Sequence, residues 1–310
     1  MSTQASPGYS DLLIRPVTGR IGAEVSRLRL SGDLDRATVD AIRQTLYRYK
    51  VLFFRGQQHL DEPGQEAFGR LFGDLVPHPT IPSLKGTQNV LDVDGADARA
   101  SSWHTDVTFV DAYPQISILR GLVIPEYGGD TVWANTAAAY QSLTPHLRDL
   151  ADNLWALHSN GNSSAYVGFR PSGKPDALKR YHQVFTSTVY ETQHPLVRVH
   201  PGTGERALIL GQFVQKILGV SAADSSHLFA LFQGHATRLE NTMRWRWAVG
   251  DVAMWDNRAT QHTAVDDYGD RPRVLRRVTV AGDVPISVDG KNSVLRNKVS
   301  SAPDIATTDH

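Results

Sequence analysis

The residues that could do chemistry begin with a histidine and an aspartate two positions apart. His104 and Asp106 lie in the stretch W-H-T-D-V-T-F at residues 103–109, whose residue types favour a strand. In an extended chain such side chains point to the same face, roughly 6–7 Å apart at the backbone. Two ligands are too few for a stable metal site, and the best candidate for a third is His262. Two histidines and one carboxylate on one face of a metal suit Fe(II) in non-haem oxygenases.

A second copy of the spacing shows that the pattern alone is not specific. His59 and Asp61 follow the apolar run Val51 to Phe54 and precede Pro63 and a helical pattern. Asp61 is therefore better interpreted as a helix N-cap. Spacing alone leaves two interpretations of His104 and Asp106, a metal site or two ordinary polar residues.

Two arginines form a second candidate group. Arg273 and Arg277 are four residues apart in a predicted strand from Arg273 to Val280, so they face the same way, roughly 13 Å apart. The planar guanidinium suits capture of carboxylate, phosphate or sulfonate. The opposite face of the strand is rich in valine and is the predicted core face. The arginine face is therefore expected to meet water or a polar cavity.

Composition limits the classes of function. The chain has 310 residues, no net charge and no cysteine, which excludes disulfides, cysteine-bound zinc, iron–sulfur clusters and thiol nucleophiles. Zero net charge gives no reason to expect a nucleic-acid or membrane-surface partner. No stretch approaches the roughly 20 apolar residues that span a bilayer. We expect a cytoplasmic protein that binds a small-molecule anion.

The predicted elements are short strands with few helices and no regular strand–helix alternation. This pattern favours a mainly antiparallel β core with flanking helices over a doubly wound parallel sheet. A metal site between two sheets would bring residues 104 and 262 together. The expected helices are residues 35–50, 65–72 and 135–143, with further helices beginning at residues 144 and 221.

The domain prediction is a single domain over residues 11–285 with a flexible tail at each end, 1–10 and 286–310. Two stretches near 73–102 and 158–185 lack periodicity and are predicted as loops beside the site. The second is rich in glycine, serine and asparagine, and it could be a lid or a solvated surface loop. His78, in the first stretch, could be a surface histidine or a site residue.

The chain resembles the taurine dioxygenase and alkylsulfatase family of Fe(II)- and 2-oxoglutarate-dependent dioxygenases, from about residue 12 to about residue 285. The motifs that carry the resemblance are W-H-T-D-V-T-F at 103–109, P-E-Y-G-G-D-T-V-W-A-N-T at 125–136, W-D-N-R-A-T-Q-H at 255–262 and R-V-L-R-R at 273–277. The resemblance implies a double-stranded β-helix, or jelly-roll, core. It also implies iron held by His104, Asp106 and His262, with 2-oxoglutarate and O2 as co-substrates.

The resemblance also implies roles for residues outside the metal trio. Thr131 and Arg273 would bind the distal carboxylate of 2-oxoglutarate. Arg277 would lie beside the co-substrate and close to the sulfonate or sulfate of the substrate. His78 matches a histidine that contacts substrate, and Phe213 matches an aromatic residue of the substrate pocket.

Two departures from the taurine-specific pattern concern the substrate. Ile81 stands where such a member has a tyrosine, and Ala100 stands where it has an asparagine. Both changes remove polar groups that would serve a small zwitterion. The chain is therefore more similar to the alkylsulfatase branch. We expect hydroxylation next to the sulfate of an alkyl sulfate ester, which gives aldehyde and sulfate while succinate and CO2 form.

Three alternatives stay open at this point. The same chemistry could act on taurine or another alkanesulfonate, or on the carboxylate of an aryloxyalkanoate held by Arg277. A metal-binding jelly-roll protein without turnover is a third possibility. A broken metal trio or a missing co-substrate arginine would indicate the last, and this chain has all of these residues. We also expect a homo-oligomer.

Overall fold

Strands outnumber helices in this computed structural model, which describes residues 12–94, 99–161, 169–170 and 175–300. The strands are β1 (Leu13–Pro16), β2 (Ala23–Ser26), β3 (Val51–Phe54), β4 (Leu91–Asp94), β5 (Arg99–Ala100), β6 (Ile116–Val123), β7 (Thr131–Asn135), β8 (Trp155–Ser159), β9 (Phe169–Arg170), β10 (Thr188–Pro195), β11 (Val197–Val199), β12 (Arg206–Leu208), β13 (Val214–Ile217), β14 (Thr242–Trp245), β15 (Val252–Asp256), β16 (Thr260–Ala264), β17 (Val274–Val280), β18 (Ile286–Ser287) and β19 (Val294–Ser300). The helices are α1 (Arg36–Tyr49), α2 (Glu62–Arg70), α3 (Thr136–Gln141), α4 (Pro145–Asp152), α5 (Pro175–Phe185) and α6 (Ala222–Ala236), with a 3-10 turn at Leu239–Asn241. The described chain is mainly β with few helices, as the sequence predicted.

The largest sheet has the strand order β1-β2-β3-β15-β6-β17-β4. Its neighbours pair antiparallel except β2 and β3, which are parallel. Smaller sheets have the orders β13-β8-β10-β19, β12-β11-β18, β14-β7-β16 and β5-β9. The predominance of antiparallel pairs confirms the prediction that the sheet is not doubly wound.

The apolar core lies on both faces of the large sheet. On one face, α1 and α2 pack against it through residues such as Leu46 and Phe68, which are fully buried. A second cluster contains residues of both the large sheet and the β14-β7-β16 sheet. Among them are the indole rings of Trp133, Trp245 and Trp255. Trp247 belongs to the same buried cluster, so an apolar layer lies beneath the polar residues of this part of the fold.

Four helices begin at side-chain caps that the sequence predicted, whereas Thr144, before α4, makes no side-chain cap hydrogen bond. Asp35 and Asn135 accept hydrogen bonds from backbone N–H groups in the first turns of α1 and α3, and Ser221 does so for α6. Asp61 accepts from Gly64 N at 2.8 Å and caps α2. The second histidine–aspartate pair is therefore part of a helix start, because its aspartate is used as a cap.

The predicted flexible tail over residues 286–310 is wrong for residues 286–300. They form β18 and β19, and β19 pairs antiparallel with β10. All seven residues of β19 are exposed, so the strand has no apolar pattern that would reveal it in the sequence. Backbone pairing with β10 specifies it instead. Residues 1–10 and 301–310 lie outside the described residues.

The two predicted loops also contain regular structure. The stretch 73–102 includes β4 and β5, and β4 forms the edge of the large sheet beside β17. The stretch 158–185 ends in α5, so the prediction of an irregular loop is wrong there. Residues 162–168 and 171–174 within it lie outside the described residues. Among the described helices, none is both long and apolar enough to cross a membrane.

Candidate active site

The three predicted metal ligands lie together. His104 Nε2 is 4.0 Å from Asp106 Oδ1, and His262 Nε2 is 3.9 Å from the same oxygen. One ligand atom from each residue lies within 4.8 Å of the other two, and all three side chains are buried. The structure therefore brings together a donor set of two nitrogens and one oxygen.

Backbone pairing joins the two histidines although they are distant in sequence. His104 N donates to His262 O at 3.0 Å, and His262 N donates to His104 O at 2.7 Å. His262 lies on β16, where it pairs with Trp133 of β7. A pair of reciprocal backbone hydrogen bonds thus fixes the relative position of two ligands.

The prediction that His104 and Asp106 share one continuous strand is wrong. Pairing with β16 stops after His104, and a turn follows from Asp106. Thr105 Oγ1 donates to Thr260 O at 2.6 Å, so a side-chain hydroxyl is hydrogen-bonded to a backbone carbonyl of β16. Val107 has φ +46°, a conformation that a β-branched residue rarely adopts. The two ligand side chains converge because the chain turns there.

Burial keeps both histidines neutral. Desolvation lowers the pKa of His104, and it lowers the pKa of His262 well below the ordinary value. His104 Nδ1 is 2.8 Å from Ser102 O, and a carbonyl only accepts, so Nδ1 carries the proton and Nε2 has a free lone pair. Neutral imidazole nitrogens are the form that binds a metal.

Asp106 stays ionised in spite of its burial. Desolvation alone would raise its pKa, but the charge of Arg277 and a hydrogen bond from Ser117 oppose this, and the pKa lies below its ordinary value. Arg277 Nη1 contacts Asp106 Oδ1 directly. A deprotonated carboxylate with two neutral imidazoles fits Fe(II), which accepts nitrogen and oxygen ligands of this kind.

The second oxygen of Asp106 belongs to a buried chain of hydrogen bonds. Ser117 Oγ lies 2.6 Å from Asp106 Oδ2, and Asn257 Nδ2 lies 2.8 Å from Ser117 Oγ. Trp255 Nε1 lies 2.9 Å from Asn257 Oδ1. Sequence reasoning did not assign a role to these three residues. Trp255 and Asn257 lie in the motif W-D-N-R-A-T-Q-H that ends at His262, and this position in the motif was the only indication of a role at the site.

Arg273 and Thr131 form a separate polar pair, as the resemblance implied. Arg273 Nε donates to Gly129 O at 2.8 Å, and Arg273 Nη2 lies 3.3 Å from Thr131 Oγ1. Trp247 Nε1 also donates to that hydroxyl, at 3.0 Å. Arg273 lies just before β17 and is 5% exposed, and burial lowers its pKa to about 10.

The Arg273 guanidinium forms no ion pair with a carboxylate of the described residues. Among the residues that the structure describes, no carboxylate oxygen lies within 4 Å of it. A buried cation is costly unless it is paired.

The face of β17 that the sequence predicted to meet water or a polar cavity is also part of the core. Leu275, on this face, is fully buried.

A cavity of about 220 Å³ adjoins Asp106. Its lining includes all five residues predicted to contact substrate, two of the three metal ligands and several apolar side chains. The lining residues are His78, Ile81, Leu91, Asp92, Val93, Ala100, His104, Asp106, Val107, Tyr181, Phe185, Gln212, Phe213 and Arg277. Thr131 and Arg273 do not line it, whereas Arg277, which was predicted to contact both substrate and co-substrate, does.

His78 lies at the site and not on the open surface. Its Nδ1 accepts from the backbone N–H groups of Thr80 and Ile81, at 3.2 and 3.0 Å, so the proton is on Nε2. Burial, followed by the charge of Arg277, lowers the pKa of His78 to about 3. A neutral histidine with a remaining N–H donor lines the cavity.

Gln212 is a site residue that sequence reasoning missed. It lines the cavity, and among the described residues neither atom of its side-chain amide has a hydrogen-bond partner. An unpaired buried polar group costs about 1–3 kcal/mol. Its position directly before Phe213 was the only available signal.

An aromatic wall forms the apolar side of the cavity. Phe185 stacks with Phe213 at 6.3 Å and with Tyr181 at 6.0 Å between ring centroids. Phe109 packs edge-on against Phe185 and Phe213 at 5.7 and 5.0 Å. Helix α5 contributes Tyr181 and Phe185, so the wall depends on an element that was predicted as an irregular loop.

Comparison with known proteins gives matches over nearly the whole chain. The model of the taurine catabolism dioxygenase family TauD/TfdA matches residues 13–279. An alpha-ketoglutarate-dependent sulfate ester dioxygenase from Pseudomonas putida is 62% identical over 93% of this chain and 95% of its own length. An alkylsulfatase from Acinetobacter baylyi is 51% identical over 99% of this chain and 95% of its own length. The crystal structure of a taurine dioxygenase from Burkholderia xenovorans is 38% identical, covers 92% of this chain and 96% of its own, and has a TM-score of 0.78.

Proposed function

Because the chain belongs to the TauD/TfdA family of taurine catabolism dioxygenases, we propose that it oxidises alkyl sulfate esters with O2 and 2-oxoglutarate (alpha-ketoglutarate). The observation that carries the proposal is one cavity that joins the Asp106–Arg277 pair to the aromatic wall. Such a cavity fits an anion with an apolar tail. The similarity to a sulfate ester dioxygenase and to an alkylsulfatase supports the same substrate class.

His104, Asp106 and His262 hold Fe(II) in this proposal, and Arg273 with Thr131 binds the distal carboxylate of 2-oxoglutarate. When bound, iron with 2-oxoglutarate and O2 supplies the oxidant for the substrate C–H bond, and 2-oxoglutarate is released as succinate and CO2. The support from this chain is the neutral state of both histidines and the buried guanidinium of Arg273, which has no carboxylate partner among the described residues. The chain itself contributes orientation, charge and exclusion of water.

The sulfate head group needs a cation and further donors. Arg277 supplies the charge beside Asp106, and His78 supplies a neutral N–H group. Gln212 supplies an amide that has no partner among the described residues. Hydroxylation next to the ester oxygen places a hydroxyl and a sulfate on one carbon. The hydroxyl group then loses its proton to water, the bond from carbon to the sulfate oxygen breaks, and C=O forms. Arg277 stabilises the charge of the leaving sulfate.

The tail side of the cavity discriminates against taurine. Ile81 and Ala100 offer no partner to an ammonium group, and Asp92, the lining carboxylate besides Asp106, lies 3.5 Å from Arg276 Nε. A buried unpaired ammonium costs at least about 3 kcal/mol. An alkyl tail gains about 0.8 kcal/mol for each methylene it buries, so four methylenes contribute about 3 kcal/mol. Both effects favour the alkyl sulfate.

The finer structural and assembly predictions belong to the same proposal. A jelly-roll core is supported by the antiparallel sheets around the His104–His262 pairing. The homo-oligomer and the cytoplasmic location stay predictions. Taurine and an aryloxyalkanoate are the competing substrates, since Arg277 would also bind a sulfonate or a carboxylate.

A comparison of substrates tests the proposal. Catalytic efficiency would be measured as succinate formation with hexyl sulfate, taurine and phenoxyacetate at equal iron and 2-oxoglutarate. We expect hexyl sulfate to exceed both others by several decades. Taurine or phenoxyacetate matching hexyl sulfate would contradict the substrate assignment while leaving the dioxygenase class intact. An exposed residue outside the cavity, as in Leu239→Ala, provides a matched control variant.

A further inference from the structure

We propose that Ser117, Asn257 and Trp255 are positioning residues that decide which oxygen of Asp106 binds the metal. The inference rests on the proposed function, because it takes Asp106 as a metal ligand. The three residues form a hydrogen-bonded chain that ends on Asp106 Oδ2, here called the carboxylate relay. The relay holds Oδ2 and directs Oδ1 toward the two histidines.

The indole of Trp255 sets the direction of the whole relay. Trp255 Nε1 only donates, so the atom of Asn257 that lies 2.9 Å away must be its carbonyl oxygen. The amide of Asn257 therefore has a fixed orientation, and its Nδ2 donates to Ser117 Oγ at 2.8 Å. The single proton of Ser117 is then directed to Asp106 Oδ2, 2.6 Å away.

The relay is rigid because it is buried. Trp255 and Ser117 are 0% exposed, and Asn257 is 1% exposed. Ser117 lies on β6 and Trp255 on β15, which pair antiparallel with Ser117 opposite Trp255. In a dry interior, breaking one of these hydrogen bonds would leave a polar group unpaired, which opposes any rotation of the Asp106 carboxylate.

The opposite oxygen faces the remaining ligands. Asp106 Oδ1 is the carboxylate atom nearest His104 Nε2 and His262 Nε2, at 4.0 and 3.9 Å. The ring of Trp255 also packs against the His262 ring, with 4.8 Å between centroids. One residue thus supports two ligands, His262 by ring contact and Asp106 through the relay. Arg277 also contacts Oδ1, so the oxygen assigned to the metal is paired with the guanidinium in this structure.

The relay predicts a loss of metal affinity when a hydrogen bond in it is removed. Partners behind a metal ligand typically change metal affinity 10- to 100-fold. Ser117→Ala removes the donor to Oδ2, and Asn257→Leu keeps a similar volume but removes the amide. Ser225→Ala is the matched control, because Ser225 is a buried serine whose Oγ accepts from Ile217 N at 2.8 Å away from the site.

The test is the dissociation constant of Mn(II), measured by electron paramagnetic resonance on full-length protein without 2-oxoglutarate or substrate. Melting temperatures of the same samples identify variants that fail to fold, and Asn257→Leu replaces Ser117→Ala if the latter does not fold. We expect roughly 10- to 100-fold weaker binding for the two relay variants and less than about a twofold change for Ser225→Ala.

Unchanged Mn(II) affinity in a folded relay variant would overturn the inference. An equal loss in Ser225→Ala would also overturn it, because the effect would then be general destabilisation. Asp106→Ala separates this result from a failure of the proposed function. If wild type and Asp106→Ala bind Mn(II) equally, the assignment of Asp106 as a metal ligand is wrong, and so is the inference about the carboxylate relay. If only Asp106→Ala loses binding, the metal assignment stands and the relay does not.

Discussion

At the residue scale, some residues of the site could be predicted from the sequence and others could not. His104, Asp106 and His262 could be proposed from spacing and motifs, because metal ligands need particular residue types. Ser117 and Gln212 could not, because a single serine in an apolar strand or a single glutamine carries no pattern. Their roles follow from what lies within hydrogen-bond distance, or from the lack of a partner among the described residues.

Arg273 gives a prediction for co-substrate binding. Its buried guanidinium would pair with a carboxylate of 2-oxoglutarate, assisted by the Thr131 hydroxyl. Removing one side of a buried charged pair costs about 3–5 kcal/mol. We expect Arg273→Ala to weaken 2-oxoglutarate binding by two or more decades, measured by anaerobic titration of the Fe(II) protein. Equal affinity in the variant and wild type would show that the co-substrate binds elsewhere.

His194 gives a prediction for the pH dependence of stability. It is 0% exposed, its Nε2 donates to Thr108 O at 2.8 Å, and its Nδ1 lies 2.7 Å from Ser293 Oγ. Burial lowers its pKa from 6.5 to about 4. Because the unfolded chain takes up this proton near pH 6.5 and the folded chain only near pH 4, stability is lost as the pH falls through this window. The loss amounts to about 3 kcal/mol.

Urea unfolding at several pH values between 7 and 4 measures this contribution. His194→Gln keeps a polar side chain but does not titrate, so its free energy of unfolding should fall less steeply with acid than that of wild type. His158 lies beside His194 and its pKa is lowered by burial and then by the charge of His194, so the difference between the two proteins reports this pair of histidines. Identical slopes in the two proteins would contradict the assignment.

At the element scale, capped helices and apolar strands could be predicted, whereas elements held by backbone pairing could not. The start of α1 at its Asp35 cap follows from local chemistry. Strand β19 has exposed residues throughout and depends on its distant partner β10. Helix α5 follows a stretch rich in glycine and serine, whose composition concealed the helix.

Truncation tests the role of β19. Ending the chain after Ser293 keeps the hydroxyl beside His194 but leaves the edge of β10 unpaired. We expect faster amide exchange in β10 and a lower melting temperature, since an unpaired edge strand opens more readily. Ending the chain after Ser300 is the control and should leave both unchanged. Equal protection of β10 in the two truncated proteins would show that β19 does not stabilise the sheet.

The aromatic wall makes α5 a determinant of tail preference. Phe185 is buried against Phe213 and lines the cavity, whereas Val184 on the same helix is 39% exposed. We expect Phe185→Ala to lower the catalytic efficiency with hexyl sulfate about tenfold or more, because apolar contacts of this size contribute about 1–3 kcal/mol. Val184→Ala is the control. A loss that does not grow from ethyl to hexyl sulfate would argue against contact with the tail.

At the scale of the whole molecule, the site is assembled from parts that are distant in sequence. Strands β6 and β17 of the large sheet supply Ser117 and Arg277, β16 of a smaller sheet supplies His262, and α5 closes the aromatic wall. The motifs predicted the three metal ligands and the two arginines, but not Ser117. The sheet registers, which the sequence does not reveal, explain how those residues meet.

Product analysis with hexyl sulfate tests the central claim most directly. The account predicts equimolar hexanal, sulfate and succinate, with consumption of O2, and no turnover by Asp106→Ala that remains folded. An oxidative route must give the aldehyde, because the carbon beside the ester oxygen is hydroxylated before sulfate leaves. Release of sulfate with hexanol, without succinate or O2 consumption, would show simple hydrolysis and contradict the account.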